Sequence, residues 1–253
     1  MKKIKIVTDS CCDLPDYLIK KYDIEFLPLL INFEHKSYLD RVEITFKQMQ
    51  EKIKEGGVLP TTAQITPTRF EEYFRKNLEE GYTILAVLMS SEMSGTYNSA
   101  CIAKEMIGSD DIILVDSQVV TSAEGYLVLK ACELRDQGLS AEEIKEKLEI
   151  IKTKIKSSLC FESLENLVRG GRISKTVGTI GTVLGVKIIV GFKDGKVAVM
   201  DKIRGNKKVL KKIISDYENS NPDRNEPVIL IEAVNPELKE EIKSYLDQNN
   251  IRY

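Results

Sequence analysis

Three short stretches combine residue types that can hold an anion. Ser94-Gly95-Thr96 stands where an apolar run, Thr83–Met89, gives way to a helical pattern over Tyr97–Ile107. A helix start offers backbone N–H groups without intrahelical partners and the positive end of the helix dipole. Hydroxyls there add donors, and Gly95 lets a ligand approach the backbone. Ser94 as an ordinary N-cap accounts for the same residues, since Ser is favoured at that position. Thr61-Thr62-Ala63-Gln64 is a second hydroxyl-rich segment, read as a turn in a loop leading to a helix near Pro67; a plain capped loop is its alternative. Gly170-Gly171-Arg172 is the third. Two glycines before an arginine can bring backbone and guanidinium to a carboxylate or phosphate, or can simply end the preceding helix.

Other chemistries find less support. His35 is the single histidine, which excludes a multi-histidine metal site and leaves Ser94 without an obvious base. Gly178, Gly181 and Gly185 lack the G-x-G-x-x-G spacing and open no helix after a strand, and no P-loop motif occurs. Asp9 ends the first apolar run, as in phosphatases with a strand-end aspartate, but the position two residues on is Cys11. A cap or another polar contact suits Asp9 better.

These residues must be positioned by elements that alternate between β-branched runs and amphipathic, helix-length stretches, the pattern of α/β units on a parallel sheet. Strands are expected at Ile4–Thr8, Ile24–Ile31, Thr83–Met89 and Asp111–Asp116, with Lys36–Asp40 as a hairpin partner to the second. Helices are expected after Asp13, read as a cap with Pro15 in the first turn, and at Thr45–Glu55, from Pro67, at Thr121–Gln137 and at Ala141–Ile155. From about residue 157 the texture changes to a strand at Ser158–Glu162, a glycine-rich stretch and a hairpin, Ile188–Phe192 with Lys196–Met200. A helix at Asn206–Asn219, a strand at Val228–Val234 and a helix at Pro236–Gln248 follow. Hairpins beside helices predict an α+β second domain, with the boundary near residue 156.

Composition narrows the partners. The 253 residues are 42% hydrophobic and 30% charged, which fits a folded chain rather than a disordered one. The 37 Lys and Arg against 39 Asp and Glu leave a net charge of -2, without the basic excess that nucleic acid calls for. The five cysteines, Cys11, Cys12, Cys101, Cys132 and Cys160, are odd in number and form no C-x-x-C, so reduced thiols are expected. The longest purely apolar run, Ile84–Met89, is far too short to span a membrane, and no secretory h-region follows the basic start. A cytoplasmic protein is expected.

Taken together the motifs are specific. Val7-Thr8-Asp9-Ser10 with Asp13-Leu14-Pro15, Tyr38-Leu39-Asp40, Pro60-Thr61-Thr62-Ala63-Gln64, Ser90-Ser91 with Ser94-Gly95-Thr96-Tyr97 and Ser99-Ala100, Asp116-Ser117, Leu164-x-x-Leu167-x-x-Gly170-Gly171-Arg172-Ile173, and Arg204 with Lys207-Lys208 occur in this order. The series resembles the DegV family, bacterial fatty-acid-binding proteins that act as the carrier subunit of fatty acid kinase.

The resemblance implies a two-domain α/β protein of DegV-like fold: an N-terminal parallel-sheet domain over 1–156, a C-terminal α+β domain over 157–253, and a ligand between them. It implies one bound long-chain fatty acid, its carboxylate by Thr62 and Ser94 with Thr61 and Gly95 beside them, and its tail in an apolar tunnel. Arg172 and Arg204, with Gly170 and Gly171, would contact the head group or a partner. That partner would be a separate ATP-using kinase that phosphorylates the bound acid, the acyl phosphate then feeding phospholipid synthesis. The carrier would do no chemistry and hold no metal or cofactor besides its ligand.

The sequence departs from the family pattern at Ala63 and Ile65, at Gly205-Asn206, and after Tyr253, where a further strand and a histidine-bearing loop would be expected. Either the chain is truncated there or its head-group pocket is more open, in which case affinity is expected to depend on the tail more than on the head. Two other readings stand beside the carrier: a hydrolase or acyltransferase using Ser94, and a lipid-responsive regulatory module.

Overall fold

The strongest apolar runs become a parallel sheet. The computed structural model describes residues 2–33, 35–174, 176 and 185–253. In it β1 (Lys3–Asp9), β2 (Glu25–Leu27), β6 (Tyr82–Leu88) and β7 (Ile112–Asp116) pair in the order β2-β1-β6-β7. All three pairings are parallel. Ile84 to Leu88 have no exposed surface, as strands covered on both faces require.

The cover is helical. α3 (Pro67–Glu79) packs on α4 (Thr96–Ile107) and on β6, while α5 (Ser122–Asp136) packs on α6 (Ala141–Lys152), β1 and β6. Local signals set the helix ends. Thr66 accepts from the Arg69 N–H with Pro67 at the first helical position, and Ser140 forms a capping box with Glu143. Thr45 forms another with Gln48 at the start of α2 (Phe46–Gly56), and Gly57 ends that helix in the left-handed conformation.

Three expectations need correction in this part of the chain. The run Ile24–Ile31 is two strands: β2 joins the main sheet, and β3 (Leu30–Phe33) enters a second, antiparallel one. Pro28, which has no N–H to give a ladder, stands between them. The presumed loop at Thr61–Ala63 is a strand, β5, which pairs with β3 on the side opposite β4 (Lys36–Leu39). Asp13 caps no helix; it ends a 3-10 turn over Ser10–Cys12 with φ 53, and α1 (Asp16–Lys21) starts after Pro15.

The chain clusters into two compact units, Met1–Ile155 with Asp194–Lys196, and Lys156–Lys193 with Val197–Tyr253. The second has a three-stranded sheet in the order β10 (Lys196–Arg204), β9 (Val186–Lys193), β8 (Leu159–Phe161). Its core gathers Leu164, Ile173, Ile188 and Val190 beside the short helix α7 (Glu165–Arg169). α8 (Asn206–Asn219) packs on α9 (Pro236–Gln248), both at the ends expected from the sequence. Val228–Val234 is not a strand. Its apolar alternation finds no ladder among the described residues, and Ile231 and Val234 remain exposed. β-propensity alone does not make a strand without a neighbour to pair with. The glycine-rich segment at 177–184, with Gly178 and Gly181, lies outside the described residues.

Candidate functional site

The strand order places a crevice. From β1 the sheet extends to β2 on one side and to β6 on the other, so the connections leaving β1 and β6 diverge. Ligands of open parallel sheets bind outside the carboxyl ends of the strands at such a switch point. Here those ends carry Asp9-Ser10 and Ser90–Thr96.

The loop after β6 is held from below by buried acceptors. Asp9 has no exposed surface; its Oδ2 accepts from the Met89 N–H at 2.9 Å and its Oδ1 from the Cys11 N–H at 2.9 Å. Asp116, at the end of β7, accepts from the Ser91 N–H at 3.1 Å and from the Ser91 hydroxyl at 2.6 Å. The Ser90 N–H reaches the Val119 carbonyl, and those of Met93 and Ser94 return to the Ser90 carbonyl. The loop is thus fixed before any ligand arrives, which lowers the ordering cost of binding.

Ser94 sits half-buried, its Oγ accepting from the Thr96 N–H at 3.2 Å and lying 3.0 Å from Thr96 Oγ1. It therefore does cap the helix start, one residue before Gly95, the N-cap itself. At Gly95, whose φ is -71, a Cβ would stand 1.9 Å from Gln64 Oε1, so the end of that side chain would have to move aside. Gln64 lies over the start of α4 and donates to Ser99 Oγ at 3.1 Å. That bond links the end of β5 to the helix start, joining two motifs 30 residues apart in sequence (94 against 64). Thr61 and Thr62 are exposed on β5, opposite Asn32 and Ile31 of β3. Neither hydroxyl has a hydrogen-bond partner among the described residues.

Beneath the site the carboxyls are crowded. Burial pushes Asp9 up to about 6 against the pull of its two backbone N–H donors. Burial also raises Asp13 to about 6, although Arg41 opposes it. Glu124, on α5 with no exposed surface, is raised well above the ordinary range by burial and then by the charge of Asp9; the Thr8 hydroxyl donates to its Oε1 at 3.1 Å. The surface donors of the site are neutral hydroxyls, the Gln64 amide and the helix start. Such a set can hold a carboxylate by hydrogen bonds without a tight ion pair. No base bonds the Ser94 hydroxyl among the described residues, its partners being the two Thr96 groups.

The other expected residues belong to the second unit. Gly170 and Gly171 end α7: the Gly171 N–H meets the Val168 carbonyl, and Gly171 takes φ 75. The Arg172 guanidinium folds back onto the Gly170 carbonyl. Arg204 ends β10, exposed, and Gly205 follows with φ 90. The chain thus brings Thr61, Thr62, Ser94 and Gly95 into one unit, and Arg172 and Arg204 into the other.

Sequence reasoning did not single out Gln64 as a site residue, nor Asp9 and Asp116 as supports of the loop. The Gln64 signal was available, because a polar residue ending a hydroxyl-rich segment needs a partner. The two aspartates act through bonds spanning 80 and 25 residues, which spacing does not reveal. Among the described residues no group of His, Cys, Asp and Glu could hold a metal ion, and no helix is long and apolar enough to cross a membrane.

Comparison with known proteins adds a family. A family model described as an uncharacterised protein of the DegV family matches residues 3–252. A DegV domain-containing protein of Clostridium acetobutylicum is 52% identical over 240 residues, spanning 94% of this chain and 85% of the relative. Among solved structures, a DegV family protein from Thermus thermophilus, described for its fatty acid binding, aligns with a TM-score of 0.79 at 32% identity, over 88% of this chain and 79% of its own. DegV from Bacillus subtilis, described as a fatty acid binding protein, aligns with a TM-score of 0.85 at 28% identity, over 100% of this chain and 90% of its own.

Proposed function

The chain belongs to the DegV family, and from that premise we propose that it binds one long-chain fatty acid, with the carboxylate held by Thr62 and Ser94 and flanked by Thr61, Gln64 and Gly95. The observation that carries this reading is the hydrogen bond by which Gln64 ties the end of β5, next to Thr61 and Thr62, to the start of α4, next to Ser94 and Gly95. The tail would lie in an apolar tunnel and supply most of the affinity, at about 0.8 kcal/mol per buried CH₂.

The carrier would present the carboxylate to a separate ATP-using kinase, in the cytoplasm, for acyl-phosphate formation that feeds phospholipid synthesis. Holding the head by hydroxyls leaves an oxygen free to attack a phosphoryl group. Arg172 and Arg204 would meet the kinase or the charged head. The absence of a base on the Ser94 hydroxyl among the described residues favours a carrier over a serine hydrolase.

Incubation of the purified protein with palmitate, and separately with a palmitoyl ester, tests the reading. Stoichiometric palmitate binding with no ester turnover is expected. Steady release of palmitate from the ester, abolished in Ser94→Ala, would establish the hydrolase instead.

A further inference from the structure

The two halves of the proposed head-group site come from distant segments, β5 and the loop after β6, and both trace to one dipeptide at the end of β1. Asp9 Oδ2 accepts from the N–H of Met89, the residue that follows β6 and opens the Ser90–Gly95 loop. Ser10 is 1% exposed, and its Oγ accepts from the Leu29 N–H at 3.1 Å. Leu29 leads directly into β3, which carries β5 with Thr61 and Thr62. The Asp40 N–H in turn donates to the Leu29 carbonyl. One side chain thus holds the Ser94 segment and its neighbour holds the Thr62 segment.

Resting on the head-group assignment above, we infer that Asp9 and Ser10 are positioning residues that set the spacing between Thr62 and Ser94. Neither needs to touch the ligand. The carboxylate of Asp9 is suited to the task because each oxygen accepts one backbone N–H, Cys11 on one side and Met89 on the other. An asparagine of the same size has a single acceptor oxygen, so one of those N–H groups would face an NH₂. At Ser10, alanine would leave the buried Leu29 N–H without its acceptor.

The test combines palmitate titration with amide hydrogen exchange of the unliganded protein, on Asp9→Asn, Ser10→Ala and a Ser94→Ala control. Asp9→Asn is expected to weaken palmitate binding by about tenfold or more and to speed exchange in residues 89–96 while leaving 30–33 and 61–63 as in the wild type. Ser10→Ala should show the mirror pattern, with faster exchange at 30–33 and 61–63 only. Ser94→Ala should weaken binding and speed exchange only at the Thr96 N–H, whose acceptor it removes, leaving the rest of 89–95 and both 30–33 and 61–63 as in the wild type. Exchange that is unchanged, or raised evenly across the first unit, would overturn the inference by making the pair inert or merely structural. Should Asp9→Asn fail to fold, the pattern of Ser10→Ala decides alone. A wild type that binds no palmitate would count against the head-group assignment, while the exchange patterns would still judge the positioning role.

Discussion

Two segments of this chain follow a strand and enter a helix, and they are built in opposite ways. Ser90–Gly95 leads from β6 into α4 and is held by Asp9, Asp116 and its own backbone, with neutral donors on its outer side. Gly205 leads from β10 into α8 with no side-chain cap, and the side chains of Arg204, Lys207 and Lys208 around it are exposed and unpaired among the described residues. The first is a pre-ordered cradle, suited to an anion held in a fixed geometry. The second is a free positive field, which acts on the approach of an anionic partner more than on a fixed geometry.

The largest expected effect contrasts Gly205 with a glycine outside both segments, on α5 where it packs against the 3-10 turn after β1. A Cβ on Gly125 of α5 would stand 2.4 Å from the Cys12 carbonyl oxygen, a backbone atom that cannot swing aside. Gly125→Ala should therefore destabilise the protein by about 3 kcal/mol or more. Gly205→Ala, with nothing within 4 Å and only its φ of 90 and ψ of 138 to strain, should cost about 1–3 kcal/mol. Urea unfolding of both variants measures the gap, and equal losses would remove the contrast in packing.

Next in size come the cradle's own hydroxyls. Ser94→Ala and Thr62→Ala should each weaken palmitate binding by about 1.5–3 kcal/mol, the value of a hydrogen bond to a charged group. The double variant should lose less than the sum if both hold one carboxylate. Calorimetry that finds both single variants at wild-type affinity would sink the head-group assignment.

The buried carboxyls beside the cradle should give the fold a pH dependence. Asp9 and Glu124 both titrate above their ordinary values in the folded protein. A group raised in this way stabilises the fold at low pH and loses that contribution as pH rises through its folded value. Stability should thus fall as pH rises through about 6 for Asp9, and as pH rises above the ordinary carboxylate range for Glu124. Glu124→Gln keeps an acceptor for the Thr8 hydroxyl and removes one titration, so its unfolding free energy should fall less between pH 5 and pH 9. Parallel curves for wild type and variant would show that Glu124 does not titrate in that range.

The smallest effect on the fold belongs to the basic residues. Arg172→Ala and Arg204→Ala should change stability by no more than about 0.5 kcal/mol, as exposed positions do. Acyl-phosphate formation by an added kinase should nevertheless drop in both. A large fall in melting temperature would make these arginines structural, and the contrast with the cradle would blur.

Much of this frame is legible in the sequence because the signals are local. Asn206–Asn219 and Pro236–Gln248 are helices at the residues their patterns give. What escapes is what depends on distant partners. Thr61–Ala63 becomes a strand only because β3 lies beside it, and Val228–Val234 stays irregular for want of such a neighbour. Ser94 and Gly95 stand out in the sequence, but not the Gln64 side chain that occupies the space over Gly95. Nor does Asp9, at the end of the first strand, announce that Met89 will need its oxygen.

A cradle that holds the head of a single long-chain fatty acid should keep that ligand through purification. Native mass spectrometry of the protein purified from bacterial cells tests it most directly. The expected result is one adduct per chain in the mass range of long-chain fatty acids, released as free acid on denaturation and depleted in the Thr62→Ala, Ser94→Ala double variant. A wild type that carries no such adduct, and that takes up none when palmitate is supplied, would contradict it.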